Sequence, residues 1–573
     1  MVYSSEGGAR LPIQGGGALS EGGEYYVVSV SSTAIQLALT AADATAGIVI
    51  DLADATGSTN AQSMTTRVAI DIVLIATSEG VLHAFNGGSD TVTTPVGDGG
   101  GELWSFMPRE FLDKISRLRD NPSATTPDYG LDGPMTVYDS GGKKYVAVTM
   151  RRGGRNMYVL DITDITKPKM AWEILGGSTT GFERLGQTWS EPQFLRMELN
   201  GAAARDVLVF GGGYDNTTQD HDPTTGIIPA SRVDDTQGNA IYVVDAATGV
   251  RLAYFTADTT TNTSASQNRL QITGMENGII GILPVDINNN GITDRLYATG
   301  VGGRVFRIDI PDSGFSSTTI SGGMIADIND GSADDQGFQR FFNKPEVAYF
   351  SRGGVTFLAI LIGSGYRPSP LDNTTTDRFY MIKDTDVFTV SGSYTALGEG
   401  DLYDATANLI QDGSPAQKVT AQAALDASSG WFIDLLEGTV KQKSFSTAQI
   451  FNSVILFSTY QGQRSTSADV CTATTSSGLS NLYAISLLDA TAVANLDTST
   501  GTGTVFNAAD RSIDLNIPGL PPTPVIIFPP ASGSGGVNLG DKGATVIVGL
   551  QRAIKLPDRL FLIDWEEIIQ TTP

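Results

Sequence analysis

Cysteine and histidine are almost absent from this chain of 573 residues. Cys471 is the single cysteine, and His83 and His221 are the two histidines. No disulfide can therefore form within the chain, and no zinc or haem-attachment motif built from these residues occurs. The longest apolar runs are also too short to span a bilayer. These absences exclude a disulfide-rich scaffold, a histidine-rich metal centre and a membrane-spanning helix.

Basic residues are scarce as well. The chain has 37 Lys and Arg against 62 Asp and Glu, a net charge of −25. This balance argues against nucleic acid and anionic membranes as partners, since both require a basic surface. The start at Met1 has neither the basic residues nor the apolar core of a signal peptide. Because acidic chains rich in Thr, Ser, Gly and Asn are common outside bacterial cells, we expect part of a longer exported protein.

Strand patterns dominate the sequence. Short β-branched and aromatic runs alternate with turns rich in Gly, Asn, Asp and Ser, a pattern typical of all-β proteins. An aromatic residue or His, followed about three positions later by Asp, Asn or Ser, recurs seven times. The copies begin at His83, Tyr158, Tyr242, Phe306, Tyr380, Tyr483 and Phe561. Each predicts a strand whose polar residue closes a turn, and seven copies predict a modified seven-bladed β-propeller with long insertions. The alternative is an array of β-sandwiches.

The beginning of the chain has a different pattern. Gly22–Val30 and Thr33–Ala38 predict a hairpin like those of small adhesin modules. We therefore expect a small N-terminal β module over residues 1–65 and a propeller over residues 66–573. Arg109–Arg119 is the one stretch with a helical pattern, and Pro108 suits its start. The predicted apolar face of this helix consists of Phe111, Leu112, Ile115 and Leu118.

The sharpest motif for chemistry is the loop Asp286–Asp294. Oxygen-bearing side chains occupy its positions 1, 3, 5 and 9, and Gly291 at position 6 permits a sharp turn. Calcium prefers six to eight such hard oxygens in a flexible arrangement. The predicted calcium ligands are Asp286, Asn288, Asn290, the backbone carbonyl of Ile292, and Asp294. The alternative is a plain Asn/Gly turn without a metal.

Other polar residues give weaker signals. Asp327–Asp335 resembles the calcium loop but is more typical of a solvated loop. His83 is expected to be a hydrogen-bonded residue near a blade edge, and Cys471 a structural thiol, because no nucleophile–base pair is visible. The five tryptophans are expected to pack in the core. No sequence motif of a common enzyme class occurs.

The chain from about Thr65 to its C-terminus resembles the PilC/PilY family of type IV pilus tip-associated adhesins. An ordered series of motifs carries this resemblance. They are Glu79–Asn86, Gly101–Pro108, Tyr158–Asp164, Lys169–Glu173, Leu185–Pro192, the Asp286–Asp294 loop, Arg295–Tyr297, Asn343–Val347, Gly363–Tyr366, Gly430–Leu435, Asn481–Ser486 and Asp564–Ile569. Two departures stand out, because Asn288 replaces the family's frequent Asp and the family's typical N-terminal half is absent.

The resemblance implies an extracellular, non-enzymatic propeller with a calcium loop on one blade. It implies roles in pilus biogenesis with minor pilins at the pilus tip, in twitching motility through pilus extension and retraction, and in attachment to a host or abiotic surface. Two alternatives stay open. Some hairpins resemble those of quinoprotein dehydrogenases, which bind pyrroloquinoline quinone and calcium, although one cysteine cannot form their vicinal disulfide. The other alternative is a glycan-binding extracellular propeller unrelated to pili.

Overall fold

Strands make up most of the regular secondary structure in the computed structural model of this protein. The described residues from 71 onward are 71–88, 99–120, 128–199, 202–220, 232–258, 269–312, 320–329, 337–352, 354–391, 393–438, 440–462, 478–496, 506–515, 519–527, 545–549 and 551–555. Those before residue 71 are 2–4, 13, 18–20, 25–31, 34–40, 43, 48–50 and 63–65. The chain divides into two units, Met1–Ile75 with Leu82–Phe106, and Ala76–Val81 with Met107–Pro573. The domain boundary at residue 65 stays a prediction.

The first unit contains three small antiparallel sheets. Its strands are β1 (Val2–Ser4), β2 (Tyr26–Ser31), β3 (Ala34–Ala38), β4 (Ser63–Thr65), β5 (Ile72–Ala76), β6 (Leu82–Asn86) and β7 (Glu102–Phe106). Strand β1 pairs with β4, β2 pairs with β3, and β5, β6 and β7 form a three-stranded sheet. The β2–β3 pair runs antiparallel from Tyr26 opposite Ala38, so the predicted N-terminal hairpin is confirmed.

The second unit holds the remaining strands. They are β8 (Met135–Ser140), β9 (Lys143–Thr149), β10 (Met157–Asp161), β11 (Lys169–Ile174), β12 (Gln193–Met197), β13 (Arg205–Gly211), β14 (Ala240–Asp245), β15 (Arg251–Thr256), β16 (Arg269–Gln271), β17 (Ile279–Val285), β18 (Arg295–Gly300), β19 (Arg304–Asp309), β20 (Ser321–Asp327), β21 (Glu346–Arg352), β22 (Val355–Gly363), β23 (Arg378–Asp384), β24 (Leu397–Gly398), β25 (Tyr403–Asp404), β26 (Gly430–Asp434), β27 (Leu436–Glu437), β28 (Val440–Lys441), β29 (Lys443–Ser444), β30 (Gln449–Phe451), β31 (Val454–Gln461), β32 (Leu479–Ser486), β33 (Ser512–Asp514), β34 (Val525–Ile527), β35 (Thr545–Val548) and β36 (Gln551–Lys555).

These strands form six successive sheets of three to five strands within the described part of the unit. In chain order the sheets are β8–β11; β12–β16; β17–β20 with β24; β21–β23 with β26 and β25; β29–β33; and β34–β36. Strands β27 and β28 form a separate ribbon. Three of the sheets gain a short outer strand in parallel, namely β16, β24 and β25. Each main sheet is therefore an antiparallel meander, and insertions extend three of them.

The sequence repeat marks one fixed place in these meanders. Five of its copies are β10, β14, β19, β23 and β32, and each is the third strand in line of its sheet. The copy at His83 is β6, and the copy at Phe561 lies outside the described residues. In β14 the carboxylate of Asp245 accepts hydrogen bonds from the backbone N–H groups of Ala247 (3.2 Å) and Thr248 (3.0 Å). The predicted turn closure is thus confirmed there.

The core consists of apolar clusters that join each sheet to the next. Because side chains alternate between the two faces of a strand, the strands of one sheet can contribute to two clusters. In β14, Tyr242 and Val244 pack against the sheet before, whereas Ile241 and Val243 pack against the sheet after. The same arrangement continues through the later sheets. Face-to-face stacking in chain order is the packing that a propeller requires.

Helices are few and short in the described residues. The predicted helix begins after Pro108, but its first part, Arg109–Lys114, is a 3₁₀ helix and only Ile115–Asp120 (α1) is α-helical. The predicted apolar face is wrong at Leu112 and Ile115, which are exposed, whereas Phe111 is buried and Leu118 is half-buried. The other helices are α2 (Asn216–Gln219), α3 (Leu409–Asp412) and α4 (Pro415–Ala427), with 3₁₀ turns at Arg151–Gly153, Glu399–Asp401 and Ala508–Arg511. None of these helices is long and apolar enough to cross a membrane.

Candidate functional site

The Asp286–Asp294 loop connects two adjacent strands of one sheet. Strand β17 ends at Val285 and β18 begins at Arg295, and these two residues face each other as the last pair of the hairpin. The backbone N–H of Asp294 donates a 3.0 Å hydrogen bond to the carbonyl of Val285. The flanking strands predicted from the sequence are thus present, and they hold both ends of the loop.

Side-chain oxygens turn inward and order the backbone of the loop. The Asp286 carboxylate accepts hydrogen bonds from the N–H groups of Asn290 (3.2 Å) and Gly291 (2.7 Å). The amide oxygen of Asn290 accepts one from the N–H of Ile292 (2.8 Å), and that of Asn288 accepts one from Asn290 (3.1 Å). Asp286, Asn288 and Asn290 therefore lie around a single tight turn. Gly291 has φ of 82°, a left-handed conformation that glycine adopts without cost.

Asp294 is the buried member of the loop. One of its carboxylate oxygens accepts hydrogen bonds from the N–H groups of Ile287 (2.8 Å) and Asn288 (3.4 Å). The other, Oδ1, is buried and has no hydrogen-bond partner among the described residues. Burial raises the pKa of Asp294 to about 6, and the nearby carboxylates of Asp312 and Asp286 add to the rise. The two backbone hydrogen bonds lower the pKa but do not cancel this rise. A buried carboxylate oxygen without a partner costs free energy, and a cation would supply that partner.

A third carboxylate, Asp312, reaches the loop from a different segment. It is 1% exposed and accepts hydrogen bonds from the side-chain amides of Asn288 (3.3 Å) and Asn290. Its segment follows β19, and the N–H of Ile310 donates to the carbonyl of Asp294 at 2.7 Å. Sequence spacing missed this residue because it lies outside the nine-residue loop. Strand β18 pairs with β19, and Arg295 faces Asp309. This register brings Asp312, which follows β19, to the loop.

The donor set of the loop fits a hard cation. Asp286, Asp294 and Asp312 supply carboxylate oxygens, and Asn288 and Asn290 supply amide oxygens, the kinds of ligand that calcium prefers. Within the described residues, no group of three His, Cys, Asp or Glu side chains is arranged to hold a metal ion. A cation here would therefore depend on the asparagine amides and on backbone carbonyls such as that of Ile292.

The weaker sequence candidates have structural roles where they are described. Asp327 is at the end of β20 and forms ion pairs with Arg304 (3.0 Å) and Arg232, so the interpretation as a solvated loop is wrong for this residue. Positions 330–335 of the same stretch lie outside the described residues. His83 Nδ1 lies 2.8 Å from the Glu102 carboxylate, which confirms its hydrogen-bonded role. Trp431 is fully buried and donates to the carbonyl of Leu487 at 3.0 Å. Cys471 lies outside the described residues.

The fold and the loop together define an all-β, propeller-type domain with an oxygen-rich hairpin loop. No family model matches the chain. The crystal structure of the Pseudomonas aeruginosa PilY1 C-terminal domain is similar with a TM-score of 0.55, over 86% of this chain and 92% of that domain at 16% identity. This likeness confirms the predicted all-β propeller fold.

Two curated relatives extend the comparison to sequence. A type IV pilus biogenesis factor PilY1 homolog of Xylella fastidiosa is 25% identical over 250 residues, which cover 43% of this chain and 16% of the relative. PilY1 of Pseudomonas aeruginosa PAO1 is 26% identical over 264 residues, 44% of this chain and 18% of the relative. The matched part is thus less than a fifth of each relative. These similarities confirm the resemblance to the PilC/PilY family.

Proposed function

We propose that this protein is a type IV pilus biogenesis factor whose propeller binds calcium in the Asp286–Asp294 loop. The printed names of the relatives support the pilus role. The buried Asp294 Oδ1, which has no hydrogen-bond partner among the described residues, is the observation that carries calcium binding. We include in the proposal export to the cell surface, action with minor pilins at the pilus tip, attachment to surfaces and control of twitching motility. The proposed role is not enzymatic.

Calcium would act on the loop through charge. Asp286, Asn288, Asn290, the carbonyl of Ile292 and Asp294 would hold the ion, and Asp312 would add a carboxylate beside it. When bound, calcium supplies two positive charges and takes six to eight oxygen ligands. The protein's own part is to bring the Asp312 carboxylate, from the segment after β19, close to the loop carboxylates of Asp286 and Asp294. There they disfavour each other's ionised form until a cation neutralises them. Calcium would thereby fix the loop and any partner surface beside it.

The binding test is isothermal titration of metal-stripped protein with calcium chloride. We expect saturable binding at one site, and at least a tenfold loss of affinity in Asp294→Asn, which keeps the shape of the side chain but removes its charge. Asp139→Asn, which removes an exposed carboxylate elsewhere, is the matched control and should bind like the wild type. Equal affinity in Asp294→Asn, or no binding at millimolar calcium, would reject the site.

The pilus role requires a separate test in cells. A strain that lacks the gene is complemented with the full-length gene or its Asp294→Asn form, and surface pili and twitching zones are measured. We expect the deletion to lose surface pili, the wild-type gene to restore them, and the variant to alter twitching. If the deletion strain assembles and retracts pili normally, the biogenesis role is wrong whatever the titration shows.

A further inference from the structure

A cavity of about 210 Å³ lies within the second unit, and its lining includes Ile280 and Ile282 of β17. Residues in or beside strands of all six sheets line it, from Pro134 ahead of β8 to Thr523 ahead of β34. Aromatic side chains of Trp189, Phe342 and Phe445 form part of its wall. The volume is several times the ~30 Å³ that one water molecule occupies in the liquid, so the cavity can hold a small organic molecule.

The charged groups that line this cavity are mostly cationic. Arg151, Lys344 and Arg367 line it, and Glu191 is the one acid among the lining residues. Lys344 Nζ and the Glu191 carboxylate are 3.0 Å apart and neutralise each other. The two guanidinium groups therefore set the charge of the cavity, in a chain whose net charge is −25.

Neither arginine has a close carboxylate partner among the described residues. The nearest for Arg151 is Asp132, with Nη1 and Oδ1 3.7 Å apart, which is beyond hydrogen-bond length. Arg367 donates to the carbonyl of Phe445 at 3.1 Å. Burial and the charge of Arg151 lower the pKa of Arg367 to about 10. The carboxylate of Asp132 acts on both cations and offsets their charges only in part.

The backbone at Arg151 is strained in a way that orients its side chain. Its φ of 47° is left-handed, which costs a residue other than glycine roughly 1 kcal/mol. The guanidinium lies 5.4 Å from the Trp189 ring centroid, and its buried Nε has no hydrogen-bond partner among the described residues. Strain of this kind persists where surrounding structure holds a functional group in place.

We propose that this cavity binds a small organic carboxylate, held by the guanidinium groups of Arg151 and Arg367. Arginine presents planar pairs of N–H donors that match the two oxygens of a carboxylate. Trp189, Phe342 and the neighbouring Ile280 offer apolar contact to the carbon part of such a ligand, which inorganic phosphate lacks. The ligand would supply the negative charge that the two guanidinium groups lack.

The test is titration of the full chain with sodium succinate at constant ionic strength, followed by Trp fluorescence and calorimetry. Inorganic phosphate and neutral succinamide serve as comparison probes. We expect succinate to bind at one site and succinamide not to bind. Absence of succinate binding at tens of millimolar, or phosphate binding as tight as that of succinate, would overturn the assignment.

Two variants place the binding in the cavity. Arg151→Gly removes the guanidinium where the left-handed φ suits glycine, so the variant should fold at least as stably as the wild type. Arg367→Gln removes the other cation. We expect both to lose at least tenfold in succinate affinity, whereas Arg119→Gln, at an exposed arginine beside Asp120, keeps it. Unchanged affinity in both cavity variants, or an equal loss in Arg119→Gln, would refute the proposal.

Discussion

Asp312 shows how one distant side chain changes the chemistry of a local loop. It brings a third carboxylate to the loop and accepts hydrogen bonds from the amides of Asn288 and Asn290. These amides could otherwise turn their nitrogens elsewhere, since an amide presents either atom to a neighbour. Asp312 therefore positions two proposed ligands and adds negative charge beside Asp294.

We predict that Asp312→Asn weakens calcium binding by about tenfold or more and stabilises the calcium-free protein. The reason is that the variant removes one of three mutually repelling carboxylates. Thermal unfolding with chelator and with saturating calcium measures both effects. Asp139→Asn should show neither, and a variant that keeps wild-type affinity would remove Asp312 from the site.

A second buried carboxylate, Asp235, predicts a dependence of stability on pH. It accepts hydrogen bonds from Thr218, Gln219 (2.8 Å) and the N–H of Gly278 (2.8 Å). Burial nevertheless raises its pKa from 3.8 to about 6, with the Asp215 carboxylate adding to the rise. Between these values the folded state binds more protons than the unfolded state. Its contribution to stability is therefore fully present below about pH 4 and is lost as pH rises to about 6.

Asp235→Asn should remove this part of the pH dependence, on the order of 2 to 3 kcal/mol, because one pKa unit corresponds to about 1.4 kcal/mol. Urea unfolding of wild type and variant at intervals from pH 4 to pH 7 measures the difference. The quantity to compare is the slope of the unfolding free energy against pH, because the variant also loses a hydrogen-bond acceptor and is expected to be less stable at low pH. Parallel curves for the two proteins would show that Asp235 ionises normally.

The sequence named the proposed calcium ligands because their chemistry lies within nine consecutive positions. Asp286, Asn288, Asn290 and Asp294 could be named from spacing alone. Asp312 could not, because strand register brings it to the loop. Arg151 was missed for a related reason, since a lone arginine in a turn carries no sequence signal until neighbouring sheets enclose it.

At the scale of elements, buried ion pairs tie one sheet to the next. Arg307 in β19 is 1% exposed and donates to Asp309 in its own strand and to Asp384 at the end of β23 (2.9 Å). Tyr297 in β18 also donates to Asp384 at 2.5 Å. Two sheets therefore share one charged network, whose geometry fixes how their third strands align.

We predict that Asp384→Ala destabilises the protein by about 3 kcal/mol or more, because it leaves buried cationic and hydroxyl donors without their acceptor. Denaturant unfolding monitored by tryptophan fluorescence gives the value. The exposed pair of Asp139 with Lys144 supplies the comparison, and Asp139→Ala should cost less than about 1 kcal/mol. Similar losses for both variants would contradict a structural role for the buried network.

Sequence patterns found the third strands of the sheets better than their other elements. The aromatic-to-acidic spacing at Tyr158, Tyr242 and Phe306 marks a strand and its turn together. The motif can therefore be recognised whatever the length of the insertions between its copies. The parallel outer strands β16, β24 and β25 have only two or three residues, and tertiary pairing alone defines them. The helix after Pro108 was found, but its apolar face was wrong at Leu112 and Ile115, which are exposed.

At the scale of the whole molecule, the charge imbalance should govern solution behaviour. With a net charge of −25, the excess acidic side chains repel each other in the folded state, and salt screens that repulsion. We predict that raising sodium chloride from about 10 to about 200 mM, with chelator present, raises the Tm by several degrees. Differential scanning calorimetry tests this, and potassium chloride should act equally. A Tm that stays constant or falls would show that local ion pairs outweigh the global field.

The short parallel strands at the outer edges of three sheets have a consequence for crowded surfaces. An open sheet edge exposes N–H and C=O groups that can pair with the edge of another copy and start aggregation. Strands β16, β24 and β25 occupy such edges with segments too short to recruit a further long strand. The insertions that supply these short strands thus protect the sheet edges against pairing with other copies of the protein at high local concentration.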